Sequence, residues 1–325
     1  MGAGNFIAFS KNYHNYRVDL LTTNQTFSAV EHFFNAERTF IIDSTSWLKL
    51  IKSISVLFPL YFQGRYRLVV NMESESVFAK FIVATIPANS RSGISNVYRS
   101  FLDYLIYDNY VVSPNILPKN IVLNQLREYK PTVNNELNVV IRNRQLEFLK
   151  KYCNELLGVN KLVIAPTCSK ADEMRRLPSK VWLEIFDLID MKRIKDVQVL
   201  LPNKGDPQAE FFYKISSKYP SLRVVVKEYK DFVSAIEFGD LLITVDSQAL
   251  HIAQYYGTLT FCFFGPSSPF GVSIADTTYP ISASLECSPC THKYFVKPCK
   301  NQSFCMDENF MKTQLDVFKK INTEV

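Results

Sequence analysis

Three short stretches set polar and cationic side chains where apolar runs end. The first follows Leu162-Val163-Ile164-Ala165 and reads Pro166-Thr167-Cys168-Ser169-Lys170, then Arg175-Arg176-Leu177-Pro178. Hydroxyls on Thr167 and Ser169, the Lys170 ammonium, two guanidinium groups and a helix start marked by Pro178 suit a diphosphate. The open amides of a first helical turn and the guanidinium fork both favour phosphate oxygens. The plainer alternative is a solvated loop with a basic cap. The second stretch, Thr244-Val245-Asp246-Ser247-Gln248-Ala249-Leu250-His251, carries a buried run into a helix. Asp246 and Ser247 there either face a ligand or cap the helix, the commoner role, and His251 follows one turn later. In the third, Phe263-Phe264-Gly265-Pro266-Ser267-Ser268-Pro269, Gly265 permits close backbone approach and two prolines stiffen the chain. On its own this is only a turn.

A fourth cluster is made of thiols. Cys287, Cys290, Cys299 and Cys305 lie close together before the end of the chain. In a reducing compartment such a group points to a structural metal site rather than to a disulfide pair, and four thiolates leave no open coordination position. Its spacing is less regular than that of a zinc ribbon. Reduced thiols packing a loop are the competing reading. Cys153, Cys168 and Cys262 stand apart.

The elements that must carry these groups are clearest in the second half. Leu162–Ala165, Val197–Leu201, Leu222–Val226, Leu241–Val245 and Leu259–Phe264 are short apolar runs separated by amphipathic stretches. Trp182, Ile185, Phe186 and Ile189 form one apolar stripe at helical spacing. Runs buried on both faces and alternating with helices make a parallel, doubly wound sheet, with ligands beyond the carboxyl ends of its strands. The first half alternates less cleanly. Phe6, Phe9 and Tyr13 suggest a helix, Arg17–Leu21 a strand, Trp47, Leu50, Ile51 and Ile54 a helix, Arg67–Met72 a strand and Val77–Ala84 a helix. The charged helical stretch Glu136–Leu157 separates two domains, 1–157 and 158–325, the second holding the cysteine loop at 287–305. The chain opens on a glycine turn where such a domain normally opens on a strand, which predicts a native start further upstream.

Composition narrows the partners. The chain has 325 residues, 47% hydrophobic and 21% charged, enough for two ordinary domains and unlike a disordered chain. Its net charge of +6 suits an anionic small molecule or a membrane surface, and no basic run is dense enough for nucleic acid. There is neither a run of about 20 apolar residues nor a signal peptide at Met1, so the reading is cytoplasmic.

Taken in order, R-R-L-P…W, D-S-x-x-x-H-I-A, F-G-P-S-x-P and C-x-P-C…C…C-M resemble glycosyltransferase family 9, the bacterial heptosyltransferases. The likeness covers about residues 161–310. The first half is similar more loosely, through Gly4-Asn5, Val18–Thr22, Asn71-Met72-Glu73 and Arg91-Ser92-Gly93. The resemblance implies a GT-B fold: two Rossmann-like domains, an acceptor site on the first, a nucleotide-sugar such as ADP-heptose on the second, and a cleft between. It implies inverting transfer without a catalytic cofactor. The acceptor would be a bacterial surface glycan such as lipopolysaccharide core, a lipid-linked glycan or a protein, reached at the inner face of the inner membrane through peripheral association. By position, Arg175 matches the residue that meets the donor phosphates. Asp246, Ser247 and His251 match the donor loop, Gly265 and Pro266 close the pocket, and relatives that hold iron in a cysteine finger extend to zinc or iron at the four thiols here.

Two departures bear on the chemistry. The family's glycine-aspartate, whose aspartate takes the acceptor proton, reads Gly4-Asn5, and an amide cannot accept that proton. Glu73, ending the strand Arg67–Met72, is the replacement candidate, with Glu75 behind it; a surface glutamate opening a helix is the alternative. Gln248 stands where the family has glycine, which opens the identity of the donor. Two rival functions follow: a nucleotide-sugar-binding scaffold without a base, for which Asn5 speaks, and a GT-B-like nucleotide-sugar epimerase, which needs no acceptor.

Overall fold

A computed structural model of the chain describes residues 16–24, 26, 27, 31, 36–43, 45–62, 64–71, 77–95, 105–112, 133–168, 170–269, 275–290, 299 and 302–321. The helix expected at Phe6, Phe9 and Tyr13 lies outside them. Two compact units divide the chain, Met1–Pro118 and Lys119–Val325. No helix among the described residues is long and apolar enough to cross a membrane.

In the first unit, β1 (Asp19–Thr23) pairs in parallel with β2 (Arg38–Ile42), and β3 (Val69–Asn71), β4 (Arg91–Ser95) and β5 (Asn109–Val112) form a second parallel sheet in that order. Asp19 faces Arg38 in register, and their side chains meet at 2.5 Å while the Tyr66 hydroxyl donates to the same carboxylate at 2.6 Å. Gly93 in β4 is required by Tyr107, whose ring lies 2.5 Å from where a Cβ would stand. The core is Phe40, Ile42, Leu57, Leu60, Ile82 and Ile86. Helices Trp47–Ser53 and Phe58–Phe62 flank a 3-10 turn at Ile54–Leu57. That tighter turn shifts the helical phase. Leu57 and Leu60 are buried and Leu50 packs half-buried against them, while Ile51, expected on the inner stripe, is exposed.

The second unit holds a six-stranded parallel sheet. Its strands are β6 (Lys161–Ala165), β7 (Asp196–Leu201), β8 (Leu222–Val226), β9 (Leu241–Val245), β10 (Leu259–Phe264) and β11 (Thr278–Ser282), in the order β8-β7-β6-β9-β10-β11. Counted from β6 this is the 3-2-1-4-5-6 arrangement of a doubly wound dinucleotide-binding domain, with its switch point between β6 and β9. Five strands match the apolar runs of the sequence. β11 was not anticipated, because Pro280 interrupts it; proline is tolerated in a sheet only at an edge, which is where β11 lies.

The helix Asn135–Leu157, with which the sequence reading closes its first domain, packs on this second unit. Asn134 caps it, Ile141, Phe148 and Leu156 are buried, and the Gln145 amide donates to the Pro280 carbonyl at 2.7 Å. On the helix Ser179–Leu188 the expected stripe is buried, Trp182 and Ile185 completely. The Trp182 ring centroid lies 5.7 Å from that of Phe212 and 6.3 Å from that of Phe263. Its buried indole nitrogen has no hydrogen-bond partner among the described residues.

Trp182→Ala should therefore lower the stability of the second unit by about 3–5 kcal/mol, whereas Trp182→Phe, which removes the unpaired N–H and keeps an aromatic ring, should cost less than half as much. Urea denaturation followed by circular dichroism measures both.

Candidate functional site

The ends of β6, β9 and β10 converge because the strands are neighbours. Thr244 in β9 donates through Oγ1 to the Ala165 carbonyl of β6 at 2.8 Å, and the Asp246 amide donates to the Phe263 carbonyl of β10 at 3.2 Å. Thr167, after β6, is half-buried, and Lys170 opens the 3-10 helix Lys170–Arg175. Ser169 lies outside the described residues, and so do Asn5, Glu73 and Glu75.

Arg175 crosses the switch point. Its Nη1 donates to the backbone carbonyl of Asp246 at 3.2 Å and lies 3.2 Å from Oδ2 of the same residue, whose side chain is buried. The loop after β6 is thus tied to the loop after β9 by one cation. Arg176 does something different from what its place beside Arg175 suggests. It makes three hydrogen bonds of 2.9–3.0 Å to Asp206, in the loop after β7. Asp206 also accepts from the Gln208 amide, and the Gln208 side chain reaches back to the Leu177 carbonyl at 2.7 Å. A bidentate pair this well buried holds position, since either charge left alone would be strongly penalised. Arg176 therefore anchors the loop from which Arg175 reaches out.

Ser247 stands at the N-cap of the helix Gln248–Tyr256, yet its side chain makes no capping bond; its hydroxyl lies 3.3 Å from that of Thr244. The helix entrance keeps its amides for other acceptors, so the simple capping reading does not hold for Ser247. Gln248 is exposed and donates to the Tyr229 hydroxyl at 3.1 Å; burial pushes that phenol up to about 12. His251 is buried, and its Nδ1 has no bonding partner among the described residues. Burial holds the imidazole below the usual histidine range, against the pull of Asp246 and Gln254, and Arg175 lowers it further.

Gly265 and Pro266 rest on the cysteine loop. The Gly265 carbonyl accepts from the Ser288 hydroxyl, and the Pro266 carbonyl accepts from the Cys290 amide at 2.9 Å. A Cβ on residue 265 would stand 2.5 Å from the Met306 sulfur and 3.0 Å from that of Cys305. Cys287, Cys290, Cys299 and Cys305 are all buried and form no disulfide. They lie near one another, for the Cys305 thiol is pushed up first by burial and then by the other three. Among the described residues, however, no three histidine, cysteine, aspartate or glutamate side chains are placed to hold a metal ion. No reaction step is routed through a metal at these thiols.

Thr244, Asp206 and Tyr229 are the supporting residues that sequence reasoning missed. A threonine inside the otherwise apolar Leu241–Val245 was a usable signal. Asp206 and Tyr229 gave none, since their partners are distant in the chain.

No family model and no curated protein matches this chain. Solved structures do. The chain is similar to a glycosyl transferase family 9 structure from Veillonella parvula DSM 2008, at 16% identity and a TM-score of 0.57 over 86% of this chain and 82% of that one. It is similar to E. coli heptosyltransferase WaaC with ADP-2-deoxy-2-fluoro heptose, at 13% identity and a TM-score of 0.58 over 98% and 97%. E. coli ADP-heptose lps heptosyltransferase II gives 12% identity and a TM-score of 0.56 over 96% and 95%. At these identities the likeness is one of fold: a mixed α/β chain whose six-stranded parallel sheet matches the GT-B heptosyltransferase structures.

The state of His251 sets a pH dependence. Its folded value is depressed, so as pH falls below about 6.5 the unfolded chain takes up the proton first and stability declines. Urea titrations at about pH 7.5 and about pH 5.5 should show the parent losing more stability on acidification than His251→Asn.

Proposed function

We propose that the chain is a glycosyltransferase whose second unit holds the diphosphate of a nucleotide-sugar between Arg175 and the entrance of the helix Gln248–Tyr256. The observation that carries this reading is the bridge from Arg175 to Asp246 across the switch point, beside a helix start whose N-cap serine does not cap it. A fixed guanidinium and open amides at one corner supply positive charge without reorganisation, which is what a departing diphosphate requires.

Support for the donor class comes from the similar folds, two of which were solved with ADP-2-deoxy-2-fluoro heptose and with ADP. In this reading the donor is ADP-heptose or a close analogue, and the acceptor is a surface glycan such as lipopolysaccharide core, met at the inner face of a bacterial inner membrane. The acceptor hydroxyl oxygen attacks the anomeric carbon from the face opposite the diphosphate. The bond from that carbon to the phosphate oxygen breaks, and its electron pair leaves with the diphosphate. The hydroxyl proton passes to Glu73, while Asn5, an amide, orients the acceptor. By their place in the chain Thr167, Ser169 and Lys170 would meet the donor phosphates and Gln248 the donor beside them, with Gly265 and Pro266 closing the pocket. Arg176 acts from behind, through Asp206.

Two variants test the reading. Arg175→Ala should weaken ADP binding about tenfold to a hundredfold in calorimetry, the loss expected for a charge-assisted hydrogen bond. Unchanged affinity would remove the diphosphate site. Glu73→Gln should bind ADP as the parent does and transfer no sugar from ADP-heptose to a lipopolysaccharide-core acceptor; near-normal turnover would reject Glu73 as the base.

A further inference from the structure

Gln248 is the first residue of the helix Gln248–Tyr256, and Tyr229 is the first of the helix Tyr229–Glu237. The two helices pack on each other. They leave strands that are not neighbours, for β7 and β6 stand between β8 and β9. The 3.1 Å bond from the Gln248 side-chain nitrogen to the Tyr229 hydroxyl therefore joins two helix entrances that the sheet order keeps apart. An exposed glutamine at the start of a helix ordinarily samples several rotamers in water. Here one rotamer is held. With its nitrogen donating to Tyr229, the carboxamide has its oxygen left as an acceptor, and no other hydrogen bond of this side chain occurs among the described residues. Tyr229 is half-buried and its phenol keeps its proton at neutral pH, so the pair carries no charge. A neutral carbonyl oxygen suits a ligand hydroxyl and repels a phosphate oxygen.

Topology identifies that hydroxyl. In a nucleoside diphosphate one methylene separates the phosphates from the ribose, so a diphosphate at the entrance of the helix Gln248–Tyr256 has the ribose as its neighbour. A doubly wound domain takes the nucleoside on the half formed by its first strands, commonly through an acidic side chain that accepts from a ribose hydroxyl. That half is β6, β7 and β8 here, and Tyr229 follows the last of them. The acid in the loop after β7 is Asp206, and it is already committed. Its buried carboxylate accepts three hydrogen bonds from Arg176 and a fourth from the Gln208 amide. The ribose needs another acceptor, and the Gln248 oxygen is fixed beside the helix entrance.

We propose, on the donor reading above, that the Gln248 carboxamide accepts from the ribose hydroxyls of the bound nucleotide, so that the site selects ribonucleotides. Gln248 touches the ligand, and Tyr229 is a positioning residue that acts through it. A glycine at position 248, as in the family the sequence resembles, would leave no side chain to make this distinction.

Calorimetry on the full chain compares ADP with 2′,3′-dideoxy-ADP. The parent should bind ADP about tenfold more tightly. Gln248→Ala should lose that preference, weakening ADP about tenfold and leaving the dideoxy compound at its parent affinity. Tyr229→Phe keeps the ring and removes the hydroxyl, and should reduce the preference to about threefold or less. A purely structural role for these residues would lower both affinities together and leave their ratio intact, which would overturn the proposal. A parent that binds the two nucleotides equally would overturn it too, as would a Gln248→Ala variant that still prefers ADP. If Gln248→Ala weakens ADP-heptose and leaves ADP unaffected, Gln248 meets the transferred sugar and the ribose assignment falls. In each of these cases the diphosphate site stands wherever Arg175→Ala weakens ADP. A parent that binds neither nucleotide would overturn that site and the ribose assignment together.

Discussion

The candidate site depends on the pairing of β6 with β9. Every other neighbour pair in the sheet continues outward in one direction, but at this pair the winding reverses, and the loops that leave the two strands diverge. The gap is bridged by two contacts, from the Thr244 hydroxyl to the Ala165 carbonyl and from the Arg175 guanidinium to Asp246. Without the parallel register that sets Ala165 beside Thr244, neither distance could be met. The Arg175–Asp246 corner is a product of topology first and of residue type second.

Charge at that corner is arranged in layers. Arg175 is held by Asp246 at the surface of the crevice, and Arg176 is held by Asp206 behind it. Identical side chains, adjacent in the chain, thus carry different loads, one at the crevice and one as an anchor. The buried pair contributes little net stability, since desolvation offsets most of its attraction. What it contributes is direction: with its neighbour fixed, the Arg175 side chain has a short and stiff base. Beneath the third loop, the cysteine segment plays a comparable part, packing sulfur atoms against Gly265 where no larger residue would fit.

Much of the second unit could be read from sequence because fully buried strands leave an unmistakable trace. Val197–Leu201 and Leu241–Val245 need apolar residues on both faces, and no helix of the same length would bury every position. The same logic placed the three loops at the carboxyl ends of the strands. It could not place β11, where Pro280 looks like a break until Cys262 is found opposite it. Nor could it tell Arg175 from Arg176, because what separates them is Asp206, 30 residues further on. The first unit was less legible for another reason. Its strands are short, β3 only three residues, and a 3-10 turn at Ile54 resets the helical phase, so a stripe counted at constant period drifts off the buried face.

Pro280 has one more effect. The outermost strand of a sheet offers its backbone as a template on which another chain can grow, and β11 occupies that position. A proline at its centre deletes one donor from the row, while Gln145 takes the proline's carbonyl and the Asn134 amide takes that of Ser284. Sheet extension on this flank, the first step toward fibrous self-association, is thereby blocked. Of the two borders only β8 is left to need such protection, and there the exposed Arg223 supplies it by charge.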